Sequence, residues 1–161
     1  MVLRIAIGAL LCMFTAQCEA YDHDTLHVFH FGAEGEQWFT ALGEQVGFLG
    51  MFPQPPVFPA PPHPLFQAFV KACETLQGRL SCASVNLAQD QHRRDKTLKW
   101  AQCTGVPCLV VFHKGKRYGL DSSAGGNFAK LTLMASKPSR IVEWIESLPV
   151  ALAPLLSKDE I

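Results

Sequence analysis

The sequence predicts an α/β domain, a central mixed sheet with helices on both faces. Three observations lead there. Short apolar runs of strand length alternate with segments of helical period, the alternation ends in a hairpin, and an amphipathic helix closes the pattern.

The elements follow in order. Residues 26–31 (Leu-His-Val-Phe-His-Phe) form a short β-type run ended by Gly32. Glu36 to Gln45 reads as a helix, with Phe39 and Leu42 on one face and Trp38 beside them. Val46 to Phe52 is an apolar run carrying two glycines, as expected of a buried strand with close neighbours. Seven of the chain's eleven prolines then fall between Pro53 and Pro64. So dense a run neither donates a sheet ladder nor continues a helix, so 53–64 is expected as an extended, polyproline-like loop. From Leu65 the helical period returns in Leu65, Phe66, Phe69, Val70, Ala72, Cys73 and Leu76, closed by Gly78. Leu80 to Leu87 is a strand, and Asp90 to Gln102 a charged helix with Leu98 inward, stopped by Gly105-Val106-Pro107. Cys108 to His113 is the most apolar strand, turned at Lys114-Gly115-Lys116. Residues 128–134 are expected as a further strand, and Ser139 to Leu148 as the closing helix on Ile141, Val142, Trp144, Ile145 and Leu148.

The two ends carry addresses. Arg4 and the apolar run Ile5–Phe14, about ten residues long, have the form of a secretory signal and are too short to span a bilayer. Cys18-Glu19-Ala20 supplies small residues before a cut, so residues 1–20 are expected to leave and Tyr21 to start the mature chain. An uncleaved anchor is the competing reading; a lipid-modified Cys18 is disfavoured by Gln17, where a small residue is expected. Lys158-Asp159-Glu160-Ile161 differs from the KDEL retrieval signal only in its last aliphatic residue. Joined to a secretory signal, it predicts a luminal protein of the endoplasmic reticulum, returned by a KDEL-type receptor; the alternative is an accidental charged terminus. No later stretch is long and apolar enough to cross a membrane, so no membrane insertion is expected after signal removal.

About 140 mature residues make one ordinary domain, here 21–150, followed by a tail over 151–161. Lys plus Arg and Asp plus Glu number 14 each, and losing Arg4 and Glu19 keeps the balance. Nothing is basic enough to imply nucleic acid. Cys73, Cys82, Cys103 and Cys108 remain after the signal; in an oxidising compartment they allow two disulfides in any of three connectivities. His27 and His30, three apart in a strand, point to opposite faces and make a poor metal pair, and neither a metal nor a cofactor is expected. Arg93, Arg94, Lys96 and Lys99 make a basic helix face, most simply a solvated one.

Three segments, in this order and spacing, resemble the thioredoxin fold. Leu76 to Leu87 (Leu-Gln-Gly-Arg-Leu-Ser-Cys-Ala-Ser-Val-Asn-Leu) looks like the family's helix end and third strand. Gly105-Val106-Pro107 with the strand through Phe112-His113-Lys114-Gly115-Lys116 looks like its cis-proline loop and fourth strand. Ser136 to Leu148 is similar to its last helix. The likeness spans about residues 26–148, and with the two end signals the chain resembles the protein disulfide isomerase family.

Counting back without gaps from Gln77-Gly78 puts the family's Trp-Cys-Gly-Pro-Cys-Lys motif on Phe58-Pro59-Ala60-Pro61-Pro62-His63. Both cysteines are replaced, by Pro59 and Pro62. Disulfide exchange needs a thiolate and a resolving thiol, and proline supplies neither. The resemblance places the family's buried acid on Gly50 and its lysine partner on Ser84. A site with no thiol to titrate has no use for that pair.

What the resemblance implies is therefore a redox-inactive binding module with no catalytic residue, acting on protein clients or other folding factors. Its shelf would comprise Val106, Pro107, Phe52, Val57 and Phe58; the alternative is that these aromatics only pack the loop onto the domain. A proline-reading partner for the 53–64 run is a third possibility. An atypical oxidoreductase would use Cys108, directly after the cis-proline, with Cys103. A Cys103–Cys108 bridge would otherwise brace that loop, or Cys108 would be an inert buried thiol. Cys73 and Cys82 would be a helix-to-strand bridge or two small hydrophobes.

Overall fold

The computed structural model describes residues 26–29, 33–53, 63–87, 91–123 and 125–154. Along the chain run β1 (Leu26–Phe29), α1 (Ala33–Ala41), β2 (Gly47–Pro53), α2 (Pro64–Thr75), β3 (Ser81–Leu87), α3 (Gln91–Ala101), β4 (Cys108–His113), β5 (Lys116–Asp121), α4 (Gly125–Ser136) and α5 (Ser139–Ser147).

The strands form one mixed sheet in the order β1-β3-β2-β4-β5. β1 and β2 both run parallel to β3, while β4 is antiparallel to β2 and β5 to β4. Parallel strands need crossover connections, which α1 supplies from β1 to β2 and α2 from β2 to its neighbour β3. β2 lies mid-sheet and is buried from Gly47 to Phe52, which is why its sequence is apolar throughout rather than alternating. The β4–β5 turn places Lys114 (φ 49°) and Gly115 (φ 73°) both in the left-handed region, as a two-residue type I′ hairpin requires.

Two apolar layers flank the sheet. On one face Phe48, Phe52, Leu109 and Val111 meet Leu65, Phe69 and Ala72 of α2, Leu131 and Met134 of α4, and Ile141, Trp144 and Ile145 of α5. Phe48 and Phe69 are in ring contact at 4.8 Å, and Trp144 lies 6.3 Å from Phe48. On the other face Leu49, Met51, Ala83, Val85, Val110 and Phe112 are covered by Trp38 and Phe39 of α1 and by Leu98, Trp100 and Ala101 of α3. Among the described residues no helix is long and apolar enough to cross a membrane.

The expected strand over 128–134 is a helix. Leu131 and Met134 are buried one helical turn apart while Phe128 and Leu133 are exposed, so the working period is helical and not two. The second hairpin strand is instead β5, Lys-Arg-Tyr-Gly-Leu-Asp, an edge strand that needs little apolar sequence because only one neighbour pairs with it. The first helix also lies earlier than its 36–45 reading: it ends at Ala41, and Gly43 follows in a turn with φ 54°.

A candidate functional site beside cis-Pro107

Three structural devices converge at the start of β4. The first is the loop from Cys103 to Cys108. Its ends are tied by a disulfide with Cα atoms 6.5 Å apart, and within it the Val106–Pro107 peptide bond is cis. The end of β5 holds the loop in place. Asp121 accepts hydrogen bonds from the Thr104 backbone N–H (3.0 Å) and hydroxyl (3.0 Å), and from the Ser123 N–H (3.1 Å) and hydroxyl (2.6 Å). Burial alone would raise the Asp121 pKa. The hydrogen bonds from Ser123 and Thr104 outweigh it and hold the carboxyl down at about 2. The Ser122 hydroxyl donates to the carbonyl of Val106 (2.7 Å), so the residue preceding the cis-proline is anchored directly.

The second device is the N-terminus of α2. His63 is its N-cap: the Leu65 N–H donates to His63 Nδ1 at 3.2 Å, and Pro64 occupies the first turn, where a missing N–H is harmless. With Nδ1 an acceptor, the neutral ring carries its proton on Nε2. Desolvation lowers the His63 pKa, so the neutral, capping form is the one favoured.

The third is helix α4, which stands across from these two. Phe128, Leu131, Thr132 and Ala135 present one face, with Phe128 64% exposed. Together the three enclose a cleft of about 360 Å³ lined by His63, Pro64, Leu65, Pro107, Ser122 and the α4 residues. The Thr132 hydroxyl is turned to the Phe128 carbonyl and that of Ser122 to Val106, so both donors are used within the protein. A mostly apolar cleft with a few oriented polar groups is what a ligand site requires.

Of the residues expected at such a site, Pro107 lines the cleft, while Val106 packs on the opposite layer with Cys103 and Cys108. Phe52 is buried, in ring contact with Phe66 (5.0 Å) and Phe69 (5.6 Å). It belongs to the core behind the cleft and offers no contact surface, a correction to its place on the shelf; an aromatic at the end of a central strand finds neighbouring rings before it finds solvent. Val57, Phe58, Pro59, Ala60, Pro61 and Pro62 lie outside the described residues, as do Lys158, Asp159, Glu160 and Ile161. Cys73 and Cys82 form the helix-to-strand disulfide, Cα atoms 6.1 Å apart. Among the described residues the four cysteines, Cys73, Cys82, Cys103 and Cys108, are all buried.

Gly50 and Ser84, the positions the resemblance gives to a buried acid and its lysine, are partners in the β2–β3 register. A Cβ on Gly50 would lie 2.5 Å from the Phe52 ring and 3.0 Å from that of Phe69, so aromatic carbon fills the acid's place. Ser84 is wholly buried, and its hydroxyl has no hydrogen-bond partner.

Phe128, Leu131, Thr132 and Ala135 carry the i, i+3, i+4, i+7 spacing of one helix face, a local signal for this wall of the cleft that the strand expected over 128–134 does not use. Asp121 and Ser122 carried none, since their role depends on β5 ending beside the 103–107 loop. Among the described residues no group of three His, Cys, Asp or Glu side chains is gathered as for a metal.

No protein-family model matches the chain, and no curated protein matches it in sequence. Solved structures do. A chain of the complex between ferredoxin:thioredoxin reductase and thioredoxin f2 superposes with a TM-score of 0.54 at 14% identity, over 76% of this chain and 94% of that one. A redox protein from Chlamydomonas reinhardtii gives 0.53 at 10% identity, over 90% of this chain and 43% of that one. With its strand order, its cis-proline at the start of β4 and helices on both faces of the sheet, the chain has a thioredoxin-like fold.

Proposed function

We propose that the protein is a non-catalytic member of the disulfide isomerase family in the endoplasmic reticulum lumen, and that the Pro107 cleft receives apolar side chains of client proteins or folding partners. The observation that carries this reading is the cleft itself. It adjoins the cis-proline and the N-terminus of α2, is mainly apolar, and among the described residues no cysteine lines it. A rigid rim loses little entropy on binding, and the disulfide and the Asp121 hydrogen bonds supply that rigidity.

The reading is tested by titrating the purified protein with an unfolded, cysteine-free client peptide while following the amide resonances of Phe128, Leu131 and Thr132. Shifts confined to these and to Leu65 support it; saturable binding elsewhere on the molecule defeats it. Removal of Lys158–Ile161 tests the location: secretion of the truncated protein is expected, and unchanged retention counts against a luminal address.

A second reading, an oxidoreductase acting through Cys103 and Cys108, is favoured by one observation: the pair is bonded and directly adjoins Pro107. Against it, Cys108 has no exposed surface and Cys103 only 6%. Reduction of a disulfide substrate that disappears in Cys108→Ala would replace the binding reading with this one.

A further inference from the structure

The wall that α2 contributes to the Pro107 cleft rests on one titratable side chain. His63, Pro64 and Leu65 are consecutive lining residues, and the hydrogen bond from the Leu65 N–H to His63 Nδ1 (3.2 Å) ties the first to the third. Helix N-caps are ordinarily Ser, Thr, Asp or Asn, whose oxygens still accept in mild acid. Histidine is the side chain whose unperturbed charge changes between about pH 5 and 8. His63 is exposed, so solvent protons reach its ring, while Leu65 behind it is buried in the core. Desolvation still favours the neutral ring, so capping prevails at neutral pH.

A proton added to this ring has two consequences. Nδ1 becomes a donor, so two N–H groups face each other where one bond stood. The imidazolium also places its charge at the N-terminus of α2, where the helix dipole is already positive. Both disfavour the positions that His63 and Leu65 hold. The bond from the Phe66 N–H to the His63 carbonyl (2.8 Å) does not involve the ring, so the change stays within the first turn. His63 is the only titratable side chain among the described residues lining the cleft, whether from α2, the Pro107 loop, the end of β5 or α4. Residues 54–62, which precede it, contain no titratable side chain. Lys71 and Glu74 of α2 and Lys130 of α4 are exposed outside the lining, and Lys116 and Arg117 stand at the far end of β5. Asp121 is engaged by Thr104 and Ser123 and stays ionised throughout the range in which His63 titrates.

We infer that His63 gates the Pro107 cleft with pH: the neutral, capping ring holds the α2 wall in place for an apolar client segment, and protonation loosens that wall and weakens binding. The inference rests on the client reading of the cleft and adds a means of release to it. A segment held near neutral pH is bound less tightly at about pH 5–6, with no cofactor or further partner required. By linkage the coupling runs both ways, so a bound client favours the neutral ring by the same factor.

Two measurements test it. In the free protein the His63 ring and the Leu65 amide are followed by NMR from about pH 7.5 to about pH 5. The amide is expected to shift with the midpoint of the ring. Its hydrogen-exchange protection, corrected for intrinsic exchange, should fall by about five-fold, the worth of an ordinary N-cap. A Leu65 N–H equally protected at both limits overturns the gate. The second measurement uses acetyl-Gly-Leu-Phe-Leu-Gly-amide, which has no titratable group, so any pH dependence belongs to the protein. Its affinity should fall by about five-fold or more across the same range, and saturating peptide should lower the ring midpoint by about 0.7, the same factor. Equal affinity at both limits overturns the proposal. His63→Asn caps without titrating and should flatten the profile; a pH dependence that persists in it assigns the effect to another group and overturns the proposal as well. Absence of binding at either pH defeats the client reading of the cleft, and the free-protein titration still decides whether the wall moves with His63.

Discussion

Gly50 and Ser84 face each other across the parallel pair β2–β3, and on the helix α2 side of the sheet one has no side chain and the other a hydroxyl with no partner. The Phe52 and Phe69 rings occupy the space a Gly50 side chain would need. The interior leaves no room for a side chain at position 50, and introducing a carboxylate there should be harmful. Gly50→Ala is expected to destabilise the protein by about 1–3 kcal/mol through overpacking, and Gly50→Asp by more, since it adds an unpaired buried charge. Chemical denaturation of both variants measures this; a neutral Gly50→Asp would show the space is not closed.

Ser84→Ala carries the opposite sign. Its hydroxyl is desolvated without compensation, and removing it leaves almost the same shape. Stability should be unchanged or rise by about 1 kcal/mol. A clear loss would reveal a hydrogen bond that the buried hydroxyl makes after all.

Asp121 links the acid limb of stability to the Pro107 loop. Its folded pKa of about 2 lies below the ordinary carboxylate value. Its contribution is therefore fully present above the unfolded pKa near 3.8 and is lost as pH falls through about 2. Asp121→Asn should flatten the stability profile between those values and broaden the amide resonances of Thr104 and Val106. Superimposable acid limbs would remove Asp121 from its anchoring role.

His63 behaves in the same direction at higher pH. With a folded pKa lowered by desolvation, its stabilising contribution is present above the unfolded value near 6.5 and disappears as pH falls through the folded one. Protonation also fills Nδ1, so the Leu65 N–H loses its acceptor and the α2 cap is lost. An NMR titration of the ring should place its midpoint below 6.5 with the neutral proton on Nε2. A midpoint above that value, or a neutral Nδ1–H tautomer, contradicts the capping geometry.

Phe128→Ala separates binding from folding. The ring is 64% exposed, so its removal should leave stability within about 0.5 kcal/mol. Client-peptide affinity should nevertheless fall by about ten-fold if the ring is a main contact of the cleft. The double variant Cys73→Ala/Cys82→Ala should do the reverse, lowering stability by about 2–3 kcal/mol while leaving that affinity unchanged.

The layered α/β order was legible in the chain alone, because apolar period and turn chemistry are local. Cys108–His113 was legible to the residue, as was the Lys114–Gly115 turn, where a glycine meets the need for positive φ. The rest depends on contacts between elements distant in the chain. Residues 128–134 satisfy both periods weakly, and packing against α2 and α5 makes them a helix, turning Phe128 toward Pro107. Asp121 and Thr104 are 17 positions apart, and His63 and Phe128 lie on different elements. No local pattern encodes such meetings. They arise where the sheet order brings β5 beside β4 and the helices close over both faces, so the scaffold was readable in the chain and its cleft was not.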